Sequence, residues 1–508
     1  LSSVKKLAGQ TLWYGIPSIL SRFIGYIMNF TLPIFFAQPA STADITQLYA
    51  AIPFLNILFT YGLETAYFRF SQEKDKDKLY NTLSISLITS TLLLSGILYV
   101  FRTDIAHILG VANHPEYINW MIWIVFFDAL CSLAFAKLRQ ENRPKKYAFV
   151  RLAGIVVNFV VVILFAGVLP KYLSTHPTSS LNTIYTRFDK IDFYFIGNIC
   201  NSLITFILLF TEFKKIKFSF NFSLWKEVMK YSYPLIIAGL GGMINDMLSR
   251  LIYQHVVDLP AEEAKNELGI FGNIFRLAVL ITIMIQAFRM AAEPFFFNRS
   301  KDVDAKKTYA KIMKFFVLAC CFMFLIIGLY LDVFEWFFIA INHPKWIEGL
   351  AIVPLLALGN IFLGIYYNLS IWYKLTNKNL YGAAITIGGA ILTVILNVVL
   401  IPKFHYLGAA VATFCCYLFM MLCSYWLGKK YYPVAYPVKK LIAYIVLVVL
   451  IYLTHLGLTK LYDNHLWFSL LTATILLSFF VWFVSKIEAK EFAKLPKIGK
   501  YFNKQRVV

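Results

Sequence analysis

Apolar runs about 20 residues long, the length that crosses a bilayer as a helix, follow one another along this chain. Short segments that collect the charged residues separate them. The runs are continuous rather than alternating, which argues against a closed barrel of strands. The pattern predicts an all-α polytopic membrane protein of about fourteen transmembrane helices. They begin near Gly9, Ile45, Tyr80, Ile118, Ala148, Phe193, Val228, Leu268, Ile312, Ile347, Tyr381, Gly408, Leu441 and Leu466. The first run is long, carries Arg22 and lacks a cleavage site of small residues, so it reads as a retained helix rather than a signal peptide.

Polar residues interrupt these runs at helical spacing. Ser18, Arg22, Tyr26 and Asn29 fall on one face of the first span. Asn56, Thr60, Glu64 and Tyr67 do the same in the second. Asn273 and Arg276 share a face of the eighth, and Asn360, Gly364 and Asn368 form a stripe in the tenth. A cation at mid-membrane costs roughly 2.5–3.5 kcal/mol on insertion scales, so such groups face a bundle interior or a wet cavity. Arg22 and Arg276 have no acid one turn away on their own helices. An unpaired guanidinium in a cavity suits a planar polyanion such as phosphate. Glu64 is a candidate resting counter-ion for them. The Asn and Thr residues serve equally well as cavity lining or as hydrogen bonds between helices. Asp246 either pairs with Arg250, one turn away, or binds a coupling cation. Asp128, alone in the fourth span, is either a protonated packing group or a second coupling site.

Composition agrees with the spans. Of 508 residues, 59% are hydrophobic and the mean hydropathy is +0.66, more apolar surface than a soluble fold can hide. The net charge of +21 would suit nucleic acid, but its placement argues against that partner. Among loop positions, one side holds only Arg102, Lys171, Arg187, Lys190, Lys265, Lys345, Lys403 and Lys460, while the other holds the remaining loop cations. This asymmetry predicts a membrane protein with both termini in the cytoplasm. All 8 His then lie on the outer side, where interfacial anchoring explains them better than metal binding. The 7 Cys lie in apolar spans without zinc spacing and read as small core residues. The basic stretch "KIEAKEFAKLPKIGKYFNKQRVV" is expected on the anionic inner leaflet.

The chain contains no phosphate-binding GxxxxGK[ST], no HExxH and no GxGxxG. The longest outer segment, "PKYLSTHPTSSLNTIYTRFDK", is too short for a catalytic domain. These points argue against an enzyme, including a glycan polymerase or ligase, and predict no cofactor. Energy would come from an ion gradient, with Na⁺ or H⁺ as the coupling ion, or from a membrane potential or substrate gradient.

A weak internal repeat organises the spans. At constant offset Tyr14, Pro17, Gly25 and Asn29 meet Tyr231, Pro234, Gly242 and Asp246. Similar offsets bring Phe68 and Arg69 onto Phe288 and Arg289, and Tyr147 and Gly154 onto Tyr381 and Gly388. The repeat predicts six-helix lobes at 1–215 and 216–430, related by a pseudo-two-fold axis along the membrane normal. Two added helices at 431–485 and a basic tail at 486–508 follow.

The stretches "KKLAGQTLWYGIPSILSRFIGYIMNF", "AAIPFLNILFTYGLETAYFRFS" and "LNVVLIPKFHYLGAAVAT" resemble the polysaccharide transporter family. That family comprises the lipid-linked O-antigen flippases. Its superfamily also holds multidrug extruders and lipid II flippases. The resemblance covers essentially the whole chain. It implies a central cavity alternating between cytoplasm and exterior, and an undecaprenyl-pyrophosphate-linked oligosaccharide as substrate for surface polysaccharide synthesis. It also implies membrane lipids and glycan-assembly proteins as partners, and a monomer. In the related lipid II flippases, cavity arginines on the first, second and eighth helices serve the pyrophosphate, and Arg22 and Arg276 match in helix and depth. The second helix departs, with Glu64 deep and Arg69 at its end. Some relatives bind Na⁺ through helices seven, eleven and twelve, where Asp246, Asn397 and Thr413 correspond; no carboxylate lies near Asn397. The alternatives are a lipid II flippase and a drug or cation antiporter, the latter expected to have an acidic cavity.

Overall fold

The computed structural model describes residues 24, 31–141, 143–300, 302–376, 378–461 and 465–493. Most of the first expected span, with Arg22, Tyr26 and Asn29, lies outside the described residues, as does the tail beyond residue 493.

No strand occurs among the described residues. The amino-terminal half holds α1 (Ala43–Thr60), α2 (Leu63–Phe70), α3 (Lys76–Val100), α4 (Arg102–Ile108), α5 (Glu116–Gln140) and α6 (Pro144–Val162). A π-helical turn at Ile163–Val168 joins α6 to α7 (Leu169–Thr175), and α8 (Ser180–Tyr185) and α9 (Asp192–Phe213) follow. The second half holds α10 (Phe222–Val256), α11 (Ala261–Asn298), α12 (Ala305–Leu329), α13 (Leu331–Ala340), α14 (Val353–Leu369), α15 (Ile371–Leu375) and α16 (Asn379–Tyr431). The chain closes with α17 (Val438–Leu461), α18 (Leu466–Ile487) and α19 (Ala489–Phe492).

Among the described residues, 10 helices are long and apolar enough to cross a membrane; the bent α11 makes 11. This tally differs from the expected fourteen for identifiable reasons. A straight α16 of 53 residues would be about 80 Å long, against a hydrocarbon core of about 30 Å. It breaks at His405, whose φ of 55° and ψ of −137° follow Pro402 by three residues. The two parts fold together, so that Cys416 Sγ approaches the Gly389 carbonyl. Two expected spans therefore share α16. The span expected from Ile45 is also interrupted. Tyr61 and Gly62 take left-handed backbone, with φ of 31° and 73°, and separate α1 from α2. A Cβ on Gly62 would lie 3.2 Å from Leu235 Cβ, so glycine meets both the conformation and the approach of α10.

Within the amino-terminal half α9 packs on α5 and α6, and α5 also packs on α1 and α3. The α6–α9 approach is close, because an added Cβ on Gly154 would lie 2.2 Å from Asn201 Oδ1. One on Gly197 would lie 2.4 Å from Asn158 Oδ1. In the second half α16 packs on α14 and α10, while α11 and α12 pack on α14. α17 and α18 pack together and against α12. Glu488, just past α18, is buried and accepts from Lys314 Nζ (2.6 Å), Lys440 Nζ (2.5 Å) and Tyr444 Oη (2.6 Å), which ties α12, α17 and α18 at one end.

The halves meet through α1 against α10 and α11. At the end carrying the 3₁₀ turn Pro39–Thr42 the seam is tight. An added Cβ on Gly269 would lie 2.0 Å from the Pro39 carbonyl oxygen, and one on Gly272 would lie 2.2 Å from Thr46 Oγ1. The Ala40 amide donates to Asn266 Oδ1 (3.1 Å), and Gln47 Nε2 donates to the Leu251 carbonyl (2.7 Å). Asp44 pairs with Lys265 at 3.5 Å. The Trp346 indole donates to the Phe36 carbonyl (3.2 Å).

Candidate functional site

Among the described residues, polar cavities open inside the helical bundle in each half. The first, of about 350 Å³, is lined by α1, α2, α5, α6 and α9. Its polar wall comprises Asn56, Thr60, Glu64, Asp128, Ser132, Arg151, Asn201 and Thr205. Glu64 is ion-paired with Arg139. Asp128 Oδ1 accepts from Ser202 Oγ at 2.7 Å. The Arg151 guanidinium lies 4.2 Å from the centre of the Phe135 ring, a cation–π contact that holds it over the cavity.

The second cavity, of about 220 Å³, is lined by α10, α11, α14 and α16. Asp246, Arg250, Arg276, Gln286, Asn360 and Tyr417 are among its walls. Arg276 Nη1 donates to Asn273 Oδ1 at 2.9 Å. Asn273 Nδ2 in turn donates to Thr42 Oγ1 (2.9 Å) and to the Gly269 carbonyl (3.0 Å), so the guanidinium is held by a chain reaching the seam. Arg250 rests 4.1 Å from the Phe275 ring centre and its Nη1 approaches Met247 Sδ at 3.1 Å, while its buried Nε has no hydrogen-bond partner. Asp246 accepts from the Tyr417 hydroxyl. The cavity thus carries two guanidiniums and one carboxylate, and neither guanidinium is salt-bridged among the described residues. Such a site has spare cationic donors in a low-dielectric setting, which favours a polyanion.

Each residue expected from sequence has a definite place where it is described. Glu64 pairs with Arg139, so a resting pair with Arg276 is not what the structure forms. Asp246 and Arg250 likewise go to separate partners instead of pairing along the helix. Asn360 is 3% exposed and donates to the Ala278 carbonyl at 2.9 Å. That carbonyl sits where α11 bends by 45° between Ala278 and Leu280, so Asn360 ties α14 to α11 at the bend. Asn368 is buried in a separate small cleft beside Arg289 and Lys374. Asn397 and Thr413 are buried; each bonds the carbonyl four residues before it, and no hydrogen bond joins either to Asp246. No group of three or more His, Cys, Asp or Glu with metal-site geometry occurs among the described residues.

Sequence reading missed three participants. Arg151, near the end of its span, suits snorkelling or an anionic head group from sequence alone, and in the structure it lines the first cavity. Arg250 reads as the partner of Asp246; only its position one turn from a carboxylate hinted at a site. Tyr417 had no signal, because a tyrosine in an apolar run is usually packing. His455 also differs from an interfacial anchor, being buried between α17 and α18 near Ser469 and Thr472.

The family model described as "Polysaccharide biosynthesis protein" matches residues 7–299. An uncharacterized membrane protein of Methanocaldococcus jannaschii is 22% identical over 441 residues, covering 81% of this chain and 82% of that protein. Among solved structures, a lipid II flippase in an inward closed conformation is similar with a TM-score of 0.68 and 16% identity, covering 93% of this chain and 98% of that one. An inward-facing multidrug resistance transporter is similar with a TM-score of 0.60 and 12% identity, covering 80% and 93%. At these identities the structures establish a shared fold, which is that of membrane transporters and flippases.

Proposed function

We propose that this chain, which belongs to the polysaccharide biosynthesis protein family, is a flippase for an undecaprenyl-pyrophosphate-linked oligosaccharide. It moves the lipid from the cytoplasmic to the outer leaflet of a bacterial cytoplasmic membrane by alternating access. The observation that carries this reading is the pair Arg250 and Arg276, two guanidiniums without carboxylate partners lining one intramembrane cavity. A pyrophosphate supplies the charge and the paired acceptors that such forks of donors match. The polyprenyl tail stays in lipid while the head group passes between the halves. Na⁺ or H⁺ at Asp246 would couple transport to a gradient.

A lipid II flippase shares the pyrophosphate and is the second reading, supported by the similarity in fold over 93% of the chain. A cation or drug antiporter would have an acidic cavity, whereas the second cavity carries two guanidiniums and one carboxylate among the described residues. The deciding experiment is translocation in liposomes of defined lipid-linked oligosaccharides, of lipid II, and of a cationic dye. Arg276→Ala and Arg250→Ala should each abolish transport of the pyrophosphate lipids while the protein stays monodisperse. Full transport by both variants would refute the assignment.

A further inference from the structure

The two cavities differ in kind. The one in the second half has an excess of cationic donors over carboxylates. Among the described residues the one in the first half is balanced: Glu64 is paired with Arg139, and one carboxylate, Asp128, faces one guanidinium, Arg151. It is also rich in unused hydrogen-bonding capacity. The side chains of Asn56, Asn201 and Arg151 make no hydrogen bond to the described protein, and Asp128 commits only one oxygen, to Ser202. Asn56, Asn201 and Asp128 are half-buried and Arg151 is exposed, and a polar space of this kind holds water or a polar ligand. Its volume of about 350 Å³ falls in the range of small-molecule pockets, roughly 300–1,000 Å³.

We infer that the first-half cavity is a sugar subsite, separate from the anion-binding cavity, which takes a pyranose of no net charge through its hydroxyls. The inference rests on the flippase reading above. A pyranose presents neighbouring hydroxyls that both donate and accept. The free oxygen of Asp128 accepts from them, and the Arg151 fork donates to them. The amides of Asn56 and Asn201 do both. A second phosphate would find one guanidinium opposed by the Asp128 carboxylate, and a cation would find that guanidinium. A neutral polyhydroxyl group meets neither repulsion. The Phe135 ring fixes the direction of the Arg151 donors, which lowers the cost of ordering them on binding. The division gives the head group two anchors: charge in one half, hydroxyls in the other.

The test uses the full chain in nanodiscs and two kinds of probe. One is bare undecaprenyl pyrophosphate; the other is a panel of the same lipid bearing one neutral hexose or one N-acetylhexosamine. Affinities are read by thermophoresis, and folding by gel filtration. The unsubstituted protein should bind at least one sugar-bearing lipid more tightly than the bare lipid. Asp128→Asn, Arg151→Gln and Asn201→Ala should each lower that sugar increment by about tenfold, the scale of a lost hydrogen bond to a charged group. Their affinity for the bare lipid should stay that of the unsubstituted protein. Retention of the increment in folded variants would overturn the subsite, as would equal losses for both probes or a panel in which no sugar improves binding. Absence of any binding of the bare lipid would instead overturn the flippase reading, and the subsite with it.

Discussion

Gly269→Ala tests whether the tight seam holds one end of the protein shut. The added Cβ would sit 2.0 Å from the Pro39 carbonyl oxygen and 2.5 Å from its carbon, both of them backbone atoms. No rotamer relieves that overlap, so α11 and the Pro39–Thr42 turn must separate by more than an ångström. The move also loosens two hydrogen bonds on the same stretch of α11, from the Ala40 amide to Asn266 and from Asn273 to Thr42. Overpacking of this kind costs about 1–3 kcal/mol. If that cost falls on the sealed arrangement alone, the equilibrium shifts toward the parted one by about 5–150-fold. Hydrogen–deuterium exchange of peptides covering 36–48 and 261–275 reads the shift directly. Protection there should fall by that factor, while peptides of the α17–α18 pair, which packs on α12, keep theirs. A folded variant with unchanged protection in both seam peptides would refute the reasoning.

Two further predictions concern stability. Burial alone would push the Glu488 carboxyl up, but hydrogen bonds from Lys314, Lys440 and Tyr444 outweigh it and hold the carboxyl below the usual range. Its folded pKa lies below its unfolded one, so its contribution is full above the unfolded value near about 4.3 and is lost as pH falls through the folded value. Glu488→Gln should therefore lower the melting temperature in detergent at pH 7, by the loss of a buried ion-pair partner worth about 3–5 kcal/mol. The gap should close in acid; a gap independent of pH would refute the ion-pair assignment. Asn360→Ala removes the hydrogen bond to the Ala278 carbonyl at the α11 bend, worth about 0.5–1.5 kcal/mol. Thermal unfolding should show the loss, and an unshifted midpoint would mean that the bend needs no such support.

The helices were legible because their signal is local: apolar length and charged punctuation suffice to place them. Asn56 and Thr60, one turn apart on α1, line one cavity wall with Glu64, which lies beyond the Tyr61–Gly62 break on α2. The Tyr67 ring packs against Tyr80. Charge partners were not legible. Arg139 is distant in sequence from Glu64, and Tyr417 from Asp246, so no spacing rule connects them. Asn360 shows the opposite difficulty. From sequence an amide in an apolar run suits a ligand and a helix contact equally, and only the bend at Ala278 decides what it bonds.

Asn273 links the anion cavity to the seam. Its Oδ1 accepts from Arg276, which lines the cavity, and its Nδ2 donates to Thr42, which belongs to the other half. One amide therefore carries both bonds, and its plane fixes them relative to each other. An anion that draws Nη1 of Arg276 away leaves Oδ1 of Asn273 without its donor. The buried amide must then keep Thr42 with half of its hydrogen bonding unmet or turn to find another partner. Either way the energy of filling the cavity and the energy of holding the seam cease to be independent. Linkage then requires that whatever loosens the seam also alters anion affinity, by the same factor. Among the described residues, the hydrogen-bonded chain from the second cavity to this end of the protein runs from Arg276 through the side chain of Asn273 to Thr42. An anion bound at Arg276 would therefore be felt between the halves.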